Sequence, residues 1–191
     1  MARPDPTREG LARLADIRGD PRTPEAREVL RAALAGKSNA VAARAARICG
    51  EANLHEFVGD LEAAFARYLV DPLRTDPSCL AKGAIVEALG RLGGGDDTLI
   101  AATRHIQREP TNAEPIDTAA DMRAAAVVAL AERNHPRALE VASALLADRE
   151  PRVRLGAITS FRALPSEGAA ALLRFKALRY LSRPDYESQR E

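Results

Sequence analysis

Apolar residues recur along this chain in steps of three and four, the spacing that lines one face of a helix. Four segments align when an alanine is taken as anchor. They are Val41 to Cys49 about Ala45, Leu80 to Leu89 about Ala84, Met122 to Leu130 about Ala126, and Val153 to Phe161 about Ala157. Each has an apolar residue four before the anchor (Val41, Leu80, Met122, Val153) and another four after it (Cys49, Ala88, Leu130, Phe161). Three carry a branched residue beside the anchor: Ile85, Val127 and Ile158. The anchors lie 39, 42 and 31 residues apart, which suits a helix pair with turns of variable length.

A second amphipathic helix is expected after each anchor helix. One begins near Leu54 and places Phe57, Val58, Leu61, Phe65, Tyr68 and Leu69 on one stripe. The next starts at Asp96 or Asp97 with Leu99, Ile100, Thr103 and Ile106. The third follows Asn134 with Ala138, Leu139, Ala142, Leu145 and Leu146, and the fourth starts at Ser166 with Leu172, Phe175 and Leu178. Asp76-Pro77, then Asp117 or Thr118, Asn134 and Ser166 read as helix N-caps, and Gly93–Gly95 as a helix stop. Two earlier helices, 7–18 and 24–35, would cap the array at its first apolar face. The polar stretch 107–117 reads as a loop, and no alternating β-branched run predicts a strand.

The stretch Asp148 to Leu164, DREPRVRLGAITSFRAL, resembles the signature of HEAT repeats, above all the short type similar to phycobilisome-lyase HEAT-like repeats. Pro151, the Val153-Arg154 pair and Ala157 match that pattern, and Met122-Arg123 with Ala126 repeats it. Ala42 and Ala81 stand at the arginine's place in the first two segments, so an unbroken Asp–Arg ladder is not expected. The resemblance covers roughly residues 37–181. It implies an all-α superhelix of about four helix pairs, with residues 1–36 as an N-terminal cap. The whole would be one domain over 1–182, followed by a polar tail at 183–191. Such repeats host many roles, so the resemblance carries fold more than function.

Composition narrows the function classes. Aromatics make up 4% and Trp is absent, so the apolar content is mostly Ala, Leu and Val, which suits closely packed helices. A net charge of +1 exerts no global pull toward nucleic acid or membrane. That charge is uneven: residues 149–183 hold eight basic and two acidic side chains, whereas residues 36–148 hold 12 and 16. No run approaches the roughly 18 apolar residues of a membrane helix, and no apolar stretch follows the charged start. A soluble, cytoplasmic protein is the expectation.

Candidate chemistry is sparse. Gly36-Lys37-Ser38 looks like the end of a phosphate loop, but Arg31 stands where the first Gly is needed and a helix precedes it. His55-Glu56 lacks the second His of a zinc-protease helix, with Gly59 and Asp60 following. Cys49 and Cys79 read as buried small hydrophobes, and with three His no metal site or cofactor is expected. No nucleophile elbow occurs and no catalytic residue is assigned.

The reading these residues favour is a non-catalytic binding or scaffold module that meets a protein partner on a concave helical surface. In HEAT arrays the second helices usually line that side. Arg104, Arg108, Arg137, Arg174, Lys176 and Arg179 are therefore the candidate contacts, with Glu62, Arg67 and Glu140 beside them. One alternative is nucleic-acid binding through the arginine-rich C-terminal region, against which the scarcity of aromatics counts. A second is a chromophore-lyase-like enzyme, suggested only by the similar repeats. The register itself is testable: Leu130→Ala should cost about 2–5 kcal/mol in chemical denaturation, and a change near zero would place Leu130 off the core face.

Overall fold

The computed structural model describes residues 5–164, which form ten α-helices with almost no strand. In chain order they are α1 (Pro6–Asp16), α2 (Pro24–Ala35), α3 (Asn39–Glu51), α4 (Val58–Tyr68), the single turn α5 (Pro72–Thr75), α6 (Leu80–Leu92), α7 (Asp96–Arg104), α8 (Ala120–Glu132), α9 (Ala138–Leu145) and α10 (Pro151–Ser160). The all-α expectation holds. The expected helix from Ser166 and the polar tail lie outside the described residues.

Local chemistry starts several of these helices. Asp5 accepts the Thr7 amide at 2.9 Å to cap α1, and Thr23 accepts the Ala26 amide at 3.1 Å to cap α2. Pro6, Pro24 and Pro151 occupy first-turn positions, where no backbone N–H is needed.

The anchor helices α3, α6, α8 and α10 pack in sequence order, each against the next. Small residues set their spacing. A Cβ on Gly50 would lie 3.1 Å from the Ala88 Cα, one on Gly90 3.0 Å from the Ala129 Cβ, and one on Gly156 2.7 Å from the Ala124 Cβ. On the other side α4 packs on α6, α7 on α8, and α9 on both α8 and α10. Ala45, Ala84, Ala126 and Ala157 are all buried at the centre, as are Val41, Cys49, Met122, Leu130, Val153 and Phe161.

Several positions depart from the predicted register. Leu80 is exposed because it is the first residue of α6, where Ala81 takes the inward place. Ile158 is exposed on α10, which has no following anchor helix among the described residues, whereas Ile85 and Val127 are covered. Ile106 lies beyond the end of α7 and faces out; Leu69 and Leu139 are partly exposed at the edges of their stripes. Asn134 does not open α9. It ends α8 in a left-handed turn at φ 52°, with the His135 amide donating back to the Leu130 carbonyl.

The loop at 107–117 is not wholly irregular. Arg108–Glu109 (β1) and Ile116–Asp117 (β2) form a minimal antiparallel pair, correcting the expectation of no strand. Two residues a side are too few to show alternation in a sequence.

A buried polar chain runs through the inter-helix loops. Asp76, expected as a simple N-cap, instead reaches α6 from three residues before its N-cap. Its fully buried carboxylate accepts the Ala81 amide at 2.8 Å and the Lys82 amide at 3.0 Å. It also meets the buried Lys82 Nζ at 3.0 Å and the Asn39 side chain at 3.2 Å. Lys82 donates further to the Tyr68 carbonyl, and Gln107 donates to the Asp76 carbonyl at 3.0 Å. Arg123 closes the chain toward α10. It meets Asp117 at 2.7 Å, binds Asp148 through two 3.1 Å hydrogen bonds and donates to the His105 carbonyl. Burial holds the His105 imidazole below its ordinary range. Lys82, next to Ala81, thus supplies the cation for Asp76.

The turns between paired helices are finished by side chains from elsewhere in the array. Arg133 donates to the Gly93 and Gly94 carbonyls and pairs with Asp96. His55 meets the Leu92 carbonyl at 2.9 Å, and Arg67 donates to the carbonyls of Leu34 and Gly36.

Breaking one partner of the buried chain should be severe. Arg123→Met leaves Asp117 and Asp148 without their cation and should lower stability by about 3–5 kcal/mol, read from urea denaturation midpoints.

Candidate binding surface

The close approach of the anchor helices leaves a groove of about 530 Å³ across α6, α8 and α10. Its lining from α6 is Val86, Glu87, Gly90 and Arg91. From α8 come Asp121, Ala124, Ala125, Val128, Ala129 and Glu132, and from α10 come Arg152, Leu155, Gly156 and Thr159. Gly90, Ala124, Ala125, Ala129 and Gly156 supply small-residue lining, on which another backbone can lie close. Leu155 is 63% exposed beside it, a large apolar side chain presented to solvent.

Charge in this lining is mixed. Arg152 reaches Asp121 at 2.8 Å, an exposed pair that joins α10 to α8 over solvent. Glu87, Arg91 and Glu132 make no ion pair among the described residues. Beyond the Asp121–Arg152 pair, the lining thus carries two acids and one base.

The sequence-predicted contacts lie elsewhere. Arg104 ends α7, and Arg137 just precedes α9, where it holds Glu140 in two 2.9 Å hydrogen bonds. That pairing raises the arginine's pKa and lowers the carboxylate's. Arg104 adds a weaker pull on the same carboxylate, so Arg104, Arg137 and Glu140 share one neighbourhood between α7 and α9. Arg108 is exposed on β1. Glu62 accepts from Thr98 at 3.5 Å, which ties α4 to α7. Arg67 is not a free contact: it is half-buried, stacked 4.9 Å over the Tyr68 ring and occupied by the end of α2. Arg174, Lys176 and Arg179 lie outside the described residues.

A second cavity, about 710 Å³, lies among α1, α2, the start of α3 and the Arg74–Pro77 segment. Gly36, Lys37 and Ser38 line it. Gly36-Lys37-Ser38 is a helix-to-helix turn between α2 and α3, not a phosphate loop after a strand; Ser38 sits at the α3 N-cap, and the Thr7 hydroxyl donates to its hydroxyl at 3.2 Å.

The cysteines are built as core. Cys49 is fully buried, and burial, with Asp60 and Glu56 adding to it, pushes its thiol up to about 12. Burial also raises the Cys79 thiol. Among the described residues, no three His, Cys, Asp or Glu converge to hold a metal ion, and no helix is long and apolar enough to cross a membrane.

Sequence reasoning did not single out the groove. Its signal was present as Gly90 and Gly156 inside helices, where glycine is unfavourable unless close packing requires it. A scan against protein-family models matched none, and a search of curated proteins found no relative.

The groove depends on Gly156. Gly156→Ala forces α10 away from Ala124 and should lower stability by about 1–3 kcal/mol, although alanine is the better helix former; a stabilising effect would show that the two helices separate freely.

Proposed function

We propose that this chain is a non-catalytic binding module of the HEAT-like kind, a superhelical stack of helix pairs that presents the α6–α8–α10 groove to a protein partner. The observation that carries this reading is the groove itself: small-residue lining, an exposed Leu155 and charges unpaired among the described residues, on one continuous helical face. Its fitting occupant is an amphipathic helix of the partner, with apolar residues against Ala125, Val128 and Leu155. Basic residues flanking that apolar face would meet Glu87 and Glu132, and an acidic one would meet Arg91.

The Arg104–Arg137–Glu140 neighbourhood between α7 and α9 is a second polar contact face on the same reading. Chemistry through Cys49 is disfavoured on physical grounds, because a thiol held near 12 supplies almost no thiolate at neutral pH.

The test compares the wild-type chain with Leu155→Arg as bait in native lysate, with and without nuclease. Leu155 is exposed, so the substitution should change stability by no more than about 0.5 kcal/mol while removing the groove's apolar contact. A protein captured by wild type, retained after nuclease and lost with Leu155→Arg supports the reading. Capture that disappears with nuclease and weakens steeply with salt would replace it with nucleic-acid binding.

A further inference from the structure

The first helix does not close fully on the array. Thr7, Gly10 and Leu14 recur on α1 at steps of three and four, and only Leu14 is large. Leu14 is fully buried, Gly10 rests so close to Val41 that a Cβ on it would lie 2.9 Å from a Val41 methyl, and the Thr7 hydroxyl donates to Ser38. The last turns of α2 are equally slight where they face this space, with Ala32, Ala33 and Gly36. The result is the cavity of about 710 Å³ among α1, α2, the start of α3 and the Arg74–Pro77 segment, a size suited to a small organic ligand.

The lining has a definite chemistry. Val29, Ala33, Val41 and Pro77 give it apolar walls. Its charge is of one sign: Arg13, Lys37 and Arg74 line it, and among the described residues no acidic side chain does. Arg13 and Arg74 each hold a carboxylate from their own helix or turn, Glu9 and Asp71, in pairs exposed to water. Such pairs are too weak to shut out a second anion. Lys37 makes no ion pair among the described residues. Beside it, the Ser38 side chain accepts the Thr7 hydroxyl and does not cap α3, so its own proton is left to donate to a ligand. One unpaired cation matches one negative charge. Apolar walls disfavour a nucleotide or sugar, whose polar edges they would leave unpaired.

From this arrangement we infer that the cavity is a small-molecule site for an apolar monoanion. The ligand is a carboxylate whose hydrocarbon or aromatic body lies on Val29, Ala33 and Val41 and whose head meets Lys37 and the Ser38 hydroxyl. The site shares no lining residue with the α6–α8–α10 groove and stands whether or not that groove takes a protein. Occupancy bridges α1 to α2 and α3, so the ligand fastens the first helix to the array.

The test is calorimetric titration of the full-length protein at neutral pH with naphthoate, and with naphthylmethanol, which keeps the aromatic body and lacks the charge. The expected result is one naphthoate per chain, saturating below about 1 mM, with naphthylmethanol bound at least fivefold more weakly. Lys37→Glu reverses the unpaired charge, and Ala32→Phe fills the cavity from its wall; both positions are exposed, so urea midpoints should stay at the wild-type value. Each substitution should weaken naphthoate at least fivefold. Absence of saturable naphthoate binding would overturn the site, and equal affinity for the two probes would overturn its anionic character without recourse to any variant. Naphthoate affinity unchanged by either substitution would place the probe elsewhere on the protein and overturn the assignment to this cavity.

Discussion

Five charged side chains inside the array, Asp76, Lys82, Asp117, Arg123 and Asp148, can be tolerated only if each keeps its partners. The partners come from different elements. Asp76 precedes α6 and gathers Asn39 from α3 and Lys82 from α6 itself, and Arg123 on α8 draws together the loops that carry Asp117 and Asp148. Apolar contacts between alanine-rich helices tolerate sliding, since one small side chain substitutes for another. A buried ion pair does not, because a shift of one helical residue leaves a charge without compensation. The polar chain therefore sets the register that the alanines alone leave loose.

That register decides where the groove falls. Gly50, Gly90 and Gly156 meet Ala88, Ala129 and Ala124 at distances where larger side chains would collide. Helices held this close leave little between them to fill the outer face. The same small residues that let the helices touch also line a shallow channel on the solvent side. Packing and groove thus have one cause.

Most helices were legible in the sequence because their apolar steps of three and four survive wherever a helix has one buried stripe, as in α2 and α4. Errors gathered where burial depends on a neighbour and not on the helix itself. Leu80 and Ile158 satisfy the pattern yet face water, because what covers a position is supplied by another element. Asn134 has the composition of an N-cap and serves as a helix stop, since a left-handed backbone and a capping oxygen favour the same residue. Lys82 could not be read as the partner of Asp76 because a lysine in a helix is ordinarily solvated, and only the loop geometry brings the carboxylate to it. The groove escaped notice for a related reason: single glycines in helices report close packing without saying which face remains open.

The turn at Gly93–Gly95 illustrates a wider property. Its carbonyls are capped by Arg133, a residue about forty positions later, just as the end of α2 is capped by Arg67. A chain emerging from the ribosome would therefore display helix ends whose acceptors remain hydrated until a later segment arrives. Assembly on the ribosome then proceeds in overlapping steps, with each arrival completing what the previous one left open. The bounds of one helix pair in sequence are accordingly not the bounds of the smallest piece that can stand alone.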